Sequence, residues 1–331
     1  MNITMMLNIS PNKSWRGATE KITVFQKDRI KLYYYAAKNK NNYTHPILIN
    51  FAFINRPYIL DLSVENSLIN ALIQADIDVY LIDWGYPCAG DFAITLSDHL
   101  TYYLHSCVEW IMHNHQLSQI NLMGICQGGT LALCYSCLFS QNVKNLILIT
   151  TPVDFHTHDN IIARIIQDID VKPIMRSKRN IDGAQITQWF LALKPFSLLG
   201  KKMLTLINNM SNIDKLKLFY EMEYWIHDNP DQSGLCFSEF IRDFYQKNLL
   251  ATGKLKLARR HVLLNQLTLP ILNIVAENDH ITPPSSAYAL KSLVSHADYE
   301  CITLPSGHIG IYFNVFSRQQ LTKAILKHLS Y

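Results

Sequence analysis

The sequence predicts an α/β fold, a mostly parallel sheet flanked by helices, with an inserted and mainly helical cap. Three observations predict it. Apolar strand-like runs alternate with helical periodicity as far as Thr150, and strands alternating with helices form parallel sheets with right-handed crossovers. That alternation stops after Pro152-Val153-Asp154 and resumes at Pro270. The run Gly124-Ile125-Cys126-Gln127-Gly128 joins an apolar strand to an apolar helix through a turn with glycines on either side.

Taken in order, residues up to 16 carry no pattern and read as a loose arm. Segments 22–25 and 30–35 read as an opening strand pair around Gln26-Lys27-Asp28. Residues 46–53 form an apolar strand buried on both sheet faces. Leu62, Leu68, Leu72 and Ile73 give helical spacing over 61–75. A strand over 79–84 and a helix over 96–113 follow, and strands over 120–124 and 143–150 flank the helix that starts after Cys126. Residues 155–267 hold helical segments rich in Lys, Asn, Trp and Tyr, with no clear buried strand; their 201–217 stretch reads as the least stable part. The pattern closes with a strand over 270–276, a helix over 285–294, a strand over 298–304 and a helix over 318–329. The chain thus divides into a first core part, 1–154, a cap insertion, 155–267, and a second core part, 268–331. A length of 331 residues suits one large core with an insertion.

Composition excludes several classes. Hydrophobic residues at 49% and charged residues at 17% describe a globular, somewhat apolar chain. A net charge of +4 is mild, and the short basic runs 38–40 and Arg259-Arg260 read as solvated faces, so no nucleic acid is expected. Seven cysteines lack framework spacing. With no signal peptide at the N-terminus they read as reduced, and the expected location is the cytoplasm. Cys134-Tyr135-Ser136-Cys137 has redox-motif spacing but sits within an apolar helix, where core packing is the simpler reading. The uncharged stretch 116–143 could span a bilayer by length alone. Gln127-Gly128-Gly129 and Asn121 interrupt it, so no transmembrane segment is expected.

The turn around Cys126 has the layout of the G-x-S-x-G nucleophile elbow of the α/β-hydrolase fold, with cysteine in the serine's place. Gly124 and Gly128 remove Cβ atoms that would clash as the nucleophile is pushed above the sheet. The helix N-terminus beneath Cys126 favours a thiolate. Asp279, in Ala276-Glu277-Asn278-Asp279-His280, and His308, in Gly307-His308-Ile309-Gly310, complete a nucleophile–acid–histidine order, each after a strand. Singly, such a cysteine is more often an inert core thiol, and such an acid or histidine a cap or surface residue. Three coincidences in the right topological order outweigh that. His308 would then generate the thiolate, and Asp279 would fix its tautomer. Oxyanion donors are expected at the backbone N–H of Gln127 and, from the loop after 46–53, of Phe53. Phe155-His156-Thr157-His158-Asp159 has the look of a metal cluster, but no later histidine is spaced to complete it, so no metal is expected. Thiolate attack on a thioester is nearly balanced in energy, which favours acyl transfer from acyl-CoA over ester hydrolysis. A cap excluding water would protect the acyl-enzyme.

Beyond the elbow, five stretches resemble one family: Asn55-Arg56-Pro57-Tyr58-Ile59-Leu60-Asp61-Leu62, Ile82-Asp83-Trp84-Gly85-Tyr86-Pro87, Tyr224-Trp225-Ile226-His227-Asp228, Phe240 to Asn248, and Ala276 to Pro284. Together with Gly124 to Gly129 and Gly307 to Tyr312 they resemble the poly(3-hydroxyalkanoate) synthases, in the short form of the class III catalytic subunits (PhaC). The resemblance runs from about residue 20 to the C-terminus. Cys88-Ala89-Gly90-Asp91 departs from it, where the family often carries a basic residue. It implies polymerisation of (R)-3-hydroxyacyl-CoA, 3-hydroxybutyryl-CoA foremost, with CoA release and the growing polyester chain held on Cys126. Asp279 would assist the incoming 3-hydroxyl. It implies no cofactor, CoA arriving with the substrate; a second, PhaE-like subunit; a homodimer as a further option; and a place at the polyester granule surface. A cysteine hydrolase of the dienelactone-hydrolase kind shares the elbow and triad but leaves the cap motifs unexplained. A catalytically dead granule-coat protein leaves the triad unexplained.

Overall fold

A computed structural model describes residues 17–39, 43–192, 213–295 and 297–330. The loose arm expected up to residue 16 and most of the 201–217 stretch lie outside the described residues. Eight strands form one sheet: β1 (Ile22–Lys27), β2 (Ile30–Tyr35), β3 (Ile47–Asn50), β4 (Val79–Asp83), β5 (Ile120–Ile125), β6 (Val143–Ile149), β7 (Ile271–Ala276) and β8 (Tyr299–Leu304). Their spatial order is β1-β2-β4-β3-β5-β6-β7-β8. β2 runs antiparallel to both β1 and β4, and every other pair is parallel.

Alternation along the central strands sorts their side chains into two cores. Leu48, Leu122 and Leu146 face one side with α2 (His105–His115) and α3 (Gln127–Leu138). Ile49, Met123 and Ile147 face the other with α1 (Leu68–Gln74) and the C-terminal helix. Each such fully buried Leu or Ile contributes about 2 kcal/mol.

Several expected elements are shorter or broken, for local reasons. The helix expected over 61–75 begins only at Leu68 because Asp61 is a fully buried acceptor. It takes hydrogen bonds from Thr19 Oγ1 at 2.7 Å and Ser67 Oγ at 2.6 Å, while Ser67 caps α1 by accepting from Asn70 N. The strand expected over 46–53 ends at Asn50, and the chain turns away toward the elbow. The helix expected over 96–113 reaches His115 but contains a π-helical stretch, His99–Leu104.

Between β6 and β7 come α4 (Ile161–Ile166), α5 (Lys172–Ser177), α6 (Gly183–Ala192), α7 (Ile213–His227) and α8 (Gly234–Phe240). A short ribbon of Lys256–Leu257 with Arg260–His261 follows. This insertion is not uniform. Phe240, Phe244, Leu255 and Val262 belong to the same apolar core as Leu122 and Leu131, so residues from α8 onward are rooted in the sheet. Asn248 fastens that root: its Oδ1 accepts from Phe155 N at 3.0 Å and its Nδ2 donates to Asp154 Oδ1 at 2.8 Å. The remaining helices are α9 (Pro284–Tyr288), α10 (Leu290–Leu293), α11 (Gly310–Phe313) and α12 (Val315–Leu329). Asn314 starts α12 by accepting from Phe316 N and Ser317 N, three residues before the expected start.

Close backbone approach at the elbow requires glycine. A Cβ on Gly128 would meet Asn50 O at 2.2 Å and Phe51 C at 2.6 Å, and both are main-chain atoms that cannot swing aside. Gly128→Ala is therefore expected to cost about 3 kcal/mol by overpacking, read as a lower urea midpoint at unchanged m-value. A midpoint equal to the parent's would show that the loop after β3 yields.

Candidate active site

Cys126 sits between β5 and α3 with φ 54° and ψ −127°, a conformation L-residues rarely adopt. Such a backbone costs about 1–3 kcal/mol and persists only where its surroundings over-determine it. Here they do: Cys126 N donates to Ile149 O at 2.9 Å, and Gly129 N donates back to Cys126 O at 2.9 Å. The side chain is lifted above the carboxyl ends of the parallel strands, at the N-terminus of a 12-residue helix.

The acid and the histidine arrive from neighbouring strands. Asp279 follows β7 and His308 follows β8, and two main-chain bonds stitch their loops together, Glu277 N to Leu304 O and Asn278 N to Ser306 O, both 2.9 Å. His308 Nδ1 donates to Asp279 Oδ2 at 2.6 Å. The other carboxylate oxygen accepts from Ile281 N at 2.8 Å and Thr282 N at 2.9 Å, which fixes its plane. The Cys126 sulfur lies beside the same imidazole and acts on its charge. Burial alone would pull His308 down, but the Asp279 carboxylate and the neighbouring Cys126 sulfur together hold it well above the ordinary histidine range. The structure thus sets His308 in a hydrogen bond to Asp279 and beside Cys126.

Phe53, expected as the second oxyanion donor, has its amide engaged within the protein. Its buried N–H already donates to Gln127 Oε1 at 3.0 Å. Its ring packs edge-on to Trp84 and beside His99, bordering a separate small cavity. Ile54, one residue on, lines the main cavity with Cys126 and Gln127. Sequence alone could not foresee that the Gln127 side chain, rather than a substrate, would take the Phe53 amide.

That main cavity has a volume of about 430 Å³ and opens from Cys126 toward α4, α6 and α8. Its walls are aliphatic and aromatic, with Ile166, Ile186 and Phe237 among them, and no charged side chain lines it among the described residues. Tyr245 joins the wall, its phenol pushed up by burial and by Cys126. Of the seven cysteines, Cys126 alone lines it. Cys134 is fully buried within α3, and burial pushes its thiol well up, which suits packing and not chemistry. His156 and Asp159 serve as ties, to Tyr245 O at 2.9 Å and to Ser285 Oγ. Among the described residues no cluster of three or more His, Cys, Asp or Glu is placed to hold a metal, and no helix is long and apolar enough to cross a membrane.

A second set of bonds joins the loops after β3 and β4 to the end of α7. Tyr58 and Tyr86 hydroxyls donate to the two oxygens of Asp228, at 3.0 and 2.6 Å. Asn55 Nδ2 donates to Trp225 O and Ile226 O, and Trp225 Nε1 to Arg56 O at 2.7 Å. Arg56 itself is held by a buried ion pair to Asp83 at 2.6 Å. Three of the sequence stretches singled out above therefore meet at one seam between the sheet and the end of α7.

Sheet order, elbow and loop positions are those of the α/β-hydrolases, here with cysteine at the elbow's tip. The alpha/beta hydrolase fold family matches residues 57–315. A hydrolase from Pseudomonas aeruginosa PA01 (TM-score 0.54, 16% identity, 95% of this chain and 100% of that one) and MenH from S. aureus (0.55, 17%, 90% and 97%) share the fold alone. A second family, described as the poly-beta-hydroxybutyrate polymerase (PhaC) N-terminus, matches residues 16–72. The poly(3-hydroxyalkanoate) polymerase subunit PhaC of Allochromatium vinosum is 41% identical over 316 residues, 95% of this chain and 89% of that protein. The subunit of the same name from Synechocystis sp. is 41% identical over 321 residues, 95% and 85% of the two chains. The chain belongs to the PhaC family of poly(3-hydroxyalkanoate) polymerase subunits.

Proposed function

We propose that this chain polymerises (R)-3-hydroxyacyl-CoA, 3-hydroxybutyryl-CoA foremost, into poly(3-hydroxyalkanoate) with release of CoA, through a thioester on Cys126. The observation that carries this reading is a cysteine, not a serine, set beside a hydrogen-bonded His308–Asp279 pair at the mouth of an uncharged apolar cavity. The Cys126 thiolate attacks the acyl-CoA carbonyl. The C–S bond to CoA breaks, and the leaving thiolate takes the proton held on His308. The 3-hydroxyl of a further substrate then gives its proton to His308 and attacks the acyl-Cys126 carbonyl, returning the thiolate and leaving the lengthened chain on CoA. Transfer back to Cys126 releases that CoA and completes one unit. One cysteine suffices for this cycle. Asp279 holds His308 in the tautomer that can act at the sulfur, and developing oxyanions fall to the N–H of Gln127 and of Ile54 in place of Phe53. The insertion between β6 and β7 acts as a cap that keeps water from the thioester.

A PhaE-like second subunit and the polyester granule surface belong to the same reading, on the strength of the resemblance. The test is purified chain, with and without such a subunit, supplied with (R)-3-hydroxybutyryl-CoA. CoA release together with insoluble polyester is expected. CoA release with free 3-hydroxybutyrate as the sole product would turn the reading to a cysteine hydrolase.

A further inference from the structure

The rim between α7 and α8 is built of polar side chains, and nearly all are spent on the fold. Asn229 Oδ1 accepts from Asn55 N, Asp231 Oδ1 from Gly183 N, and Ser233 Oγ caps α8 while donating toward Phe92 O and Ile94 O. Gln232 is the exception. Its main chain is pinned on both sides to Ile181, at 2.9 and 2.8 Å, and the residue is 4% exposed. Yet its Nε2 is buried with no hydrogen-bond partner among the described residues. Gln232 lines the Cys126 cavity, among apolar neighbours such as Ile174, Ile186 and Phe237.

A buried amide N–H without a partner is costly and rare in folded proteins, and its usual explanation is a ligand or a water. We propose that Gln232 binds the acyl chain held in this cavity by donating an Nε2 hydrogen bond to an ester carbonyl oxygen of the growing chain. This rests on the polymerase reading and adds a substrate-binding residue to it. The chemistry selects the ligand. A polyester carries one carbonyl acceptor per unit and no donor along its length, so a donor set in apolar walls complements it. CoA phosphates find no counter-charge there.

The test uses Gln232→Met and Gln232→Leu, which keep an apolar body and remove the donor, compared with the parent chain and its partner subunit. Single-turnover acylation of Cys126 by (R)-3-hydroxybutyryl-CoA is read by intact mass, elongation by CoA release and polymer mass, and folding by Tm. Acylation is expected within about twofold of the parent, and elongation about three- to tenfold slower with shorter polymer. Tm should be unchanged or higher, because an orphaned donor has been removed. Gln232 also borders the small cavity beside His99. A lower Tm in both variants would assign the amide to a structural role there, and parental elongation in both would likewise overturn the proposal. A parent chain whose Cys126 is never acylated would overturn the polymerase reading, and this one with it.

Discussion

Cys126→Ala is expected to abolish turnover, lowering CoA release by about 10⁴-fold or more, since a covalent route loses its only acceptor. The argument is geometric. Cys126 is the one cysteine at the cavity, on a backbone held at φ 54° by bonds to the neighbouring strand β6 and to the first turn of α3. Alanine keeps the Cβ and those main-chain bonds, so Tm should stay close to the parent's and a dead variant cannot be blamed on unfolding. Cys134→Ala should behave the opposite way. That thiol packs wholly inside α3, so its loss opens a small void and lowers stability while CoA release persists. Substantial CoA release from the Cys126→Ala protein would end the covalent proposal.

His308→Gln should lose acylation of Cys126 by about 10³-fold or more, because the general base and the donor to the leaving thiolate go together. Asp279→Asn separates the partners more finely. Asp279 accepts two main-chain N–H bonds at one oxygen and the His308 Nδ1–H at the other. An asparagine can keep the first pair only by turning its NH₂ toward His308. Nδ1 must then accept, and the ring proton moves to the nitrogen facing Cys126, the wrong tautomer for a base. Thiols ionise more readily than hydroxyls, so some acylation should survive in Asp279→Asn while the step that deprotonates a substrate hydroxyl falls further. Single-turnover acylation and steady elongation, measured side by side, check this. Equal losses in both would remove any distinct part for Asp279 in activating the hydroxyl.

The elbow was legible in the sequence because its determinants are local: a strand, two glycines and a helix within about a dozen residues. The acid and histidine were legible because each directly follows a strand of the same sheet. What stayed hidden depends on contacts between distant residues. Tyr58 and Asp228 stand out as parts of motifs, but 170 residues separate them, and nothing in either says that they meet. Phe53 sat in the right loop; its amide proved to be taken by a side chain 74 residues on. Gln232 gave no signal at all, since a glutamine matters here only for lacking the partner its neighbours have. The helix expected from 61 failed where Asp61 found better acceptor work than capping a turn.

The insertion is held by surface hydrogen bonds in its first half and by the apolar core in its second, and this divides two kinds of motion that would otherwise be one. Asn160 Nδ2 ties the entry to Phe155 O, Ile181 and Gly183 are bonded to Gln232 and Asp231 just before α8, and Trp225 and Asp228 tie the exit, so α4 to α6 form a leaf held at its ends and at its middle. Everything from α8 onward shares the sheet's own apolar core. Lifting the leaf therefore leaves that core dry, whereas disturbing the root would expose it and melt the molecule. The walls of the Cys126 cavity and the core beneath it thus draw on separate reserves of free energy.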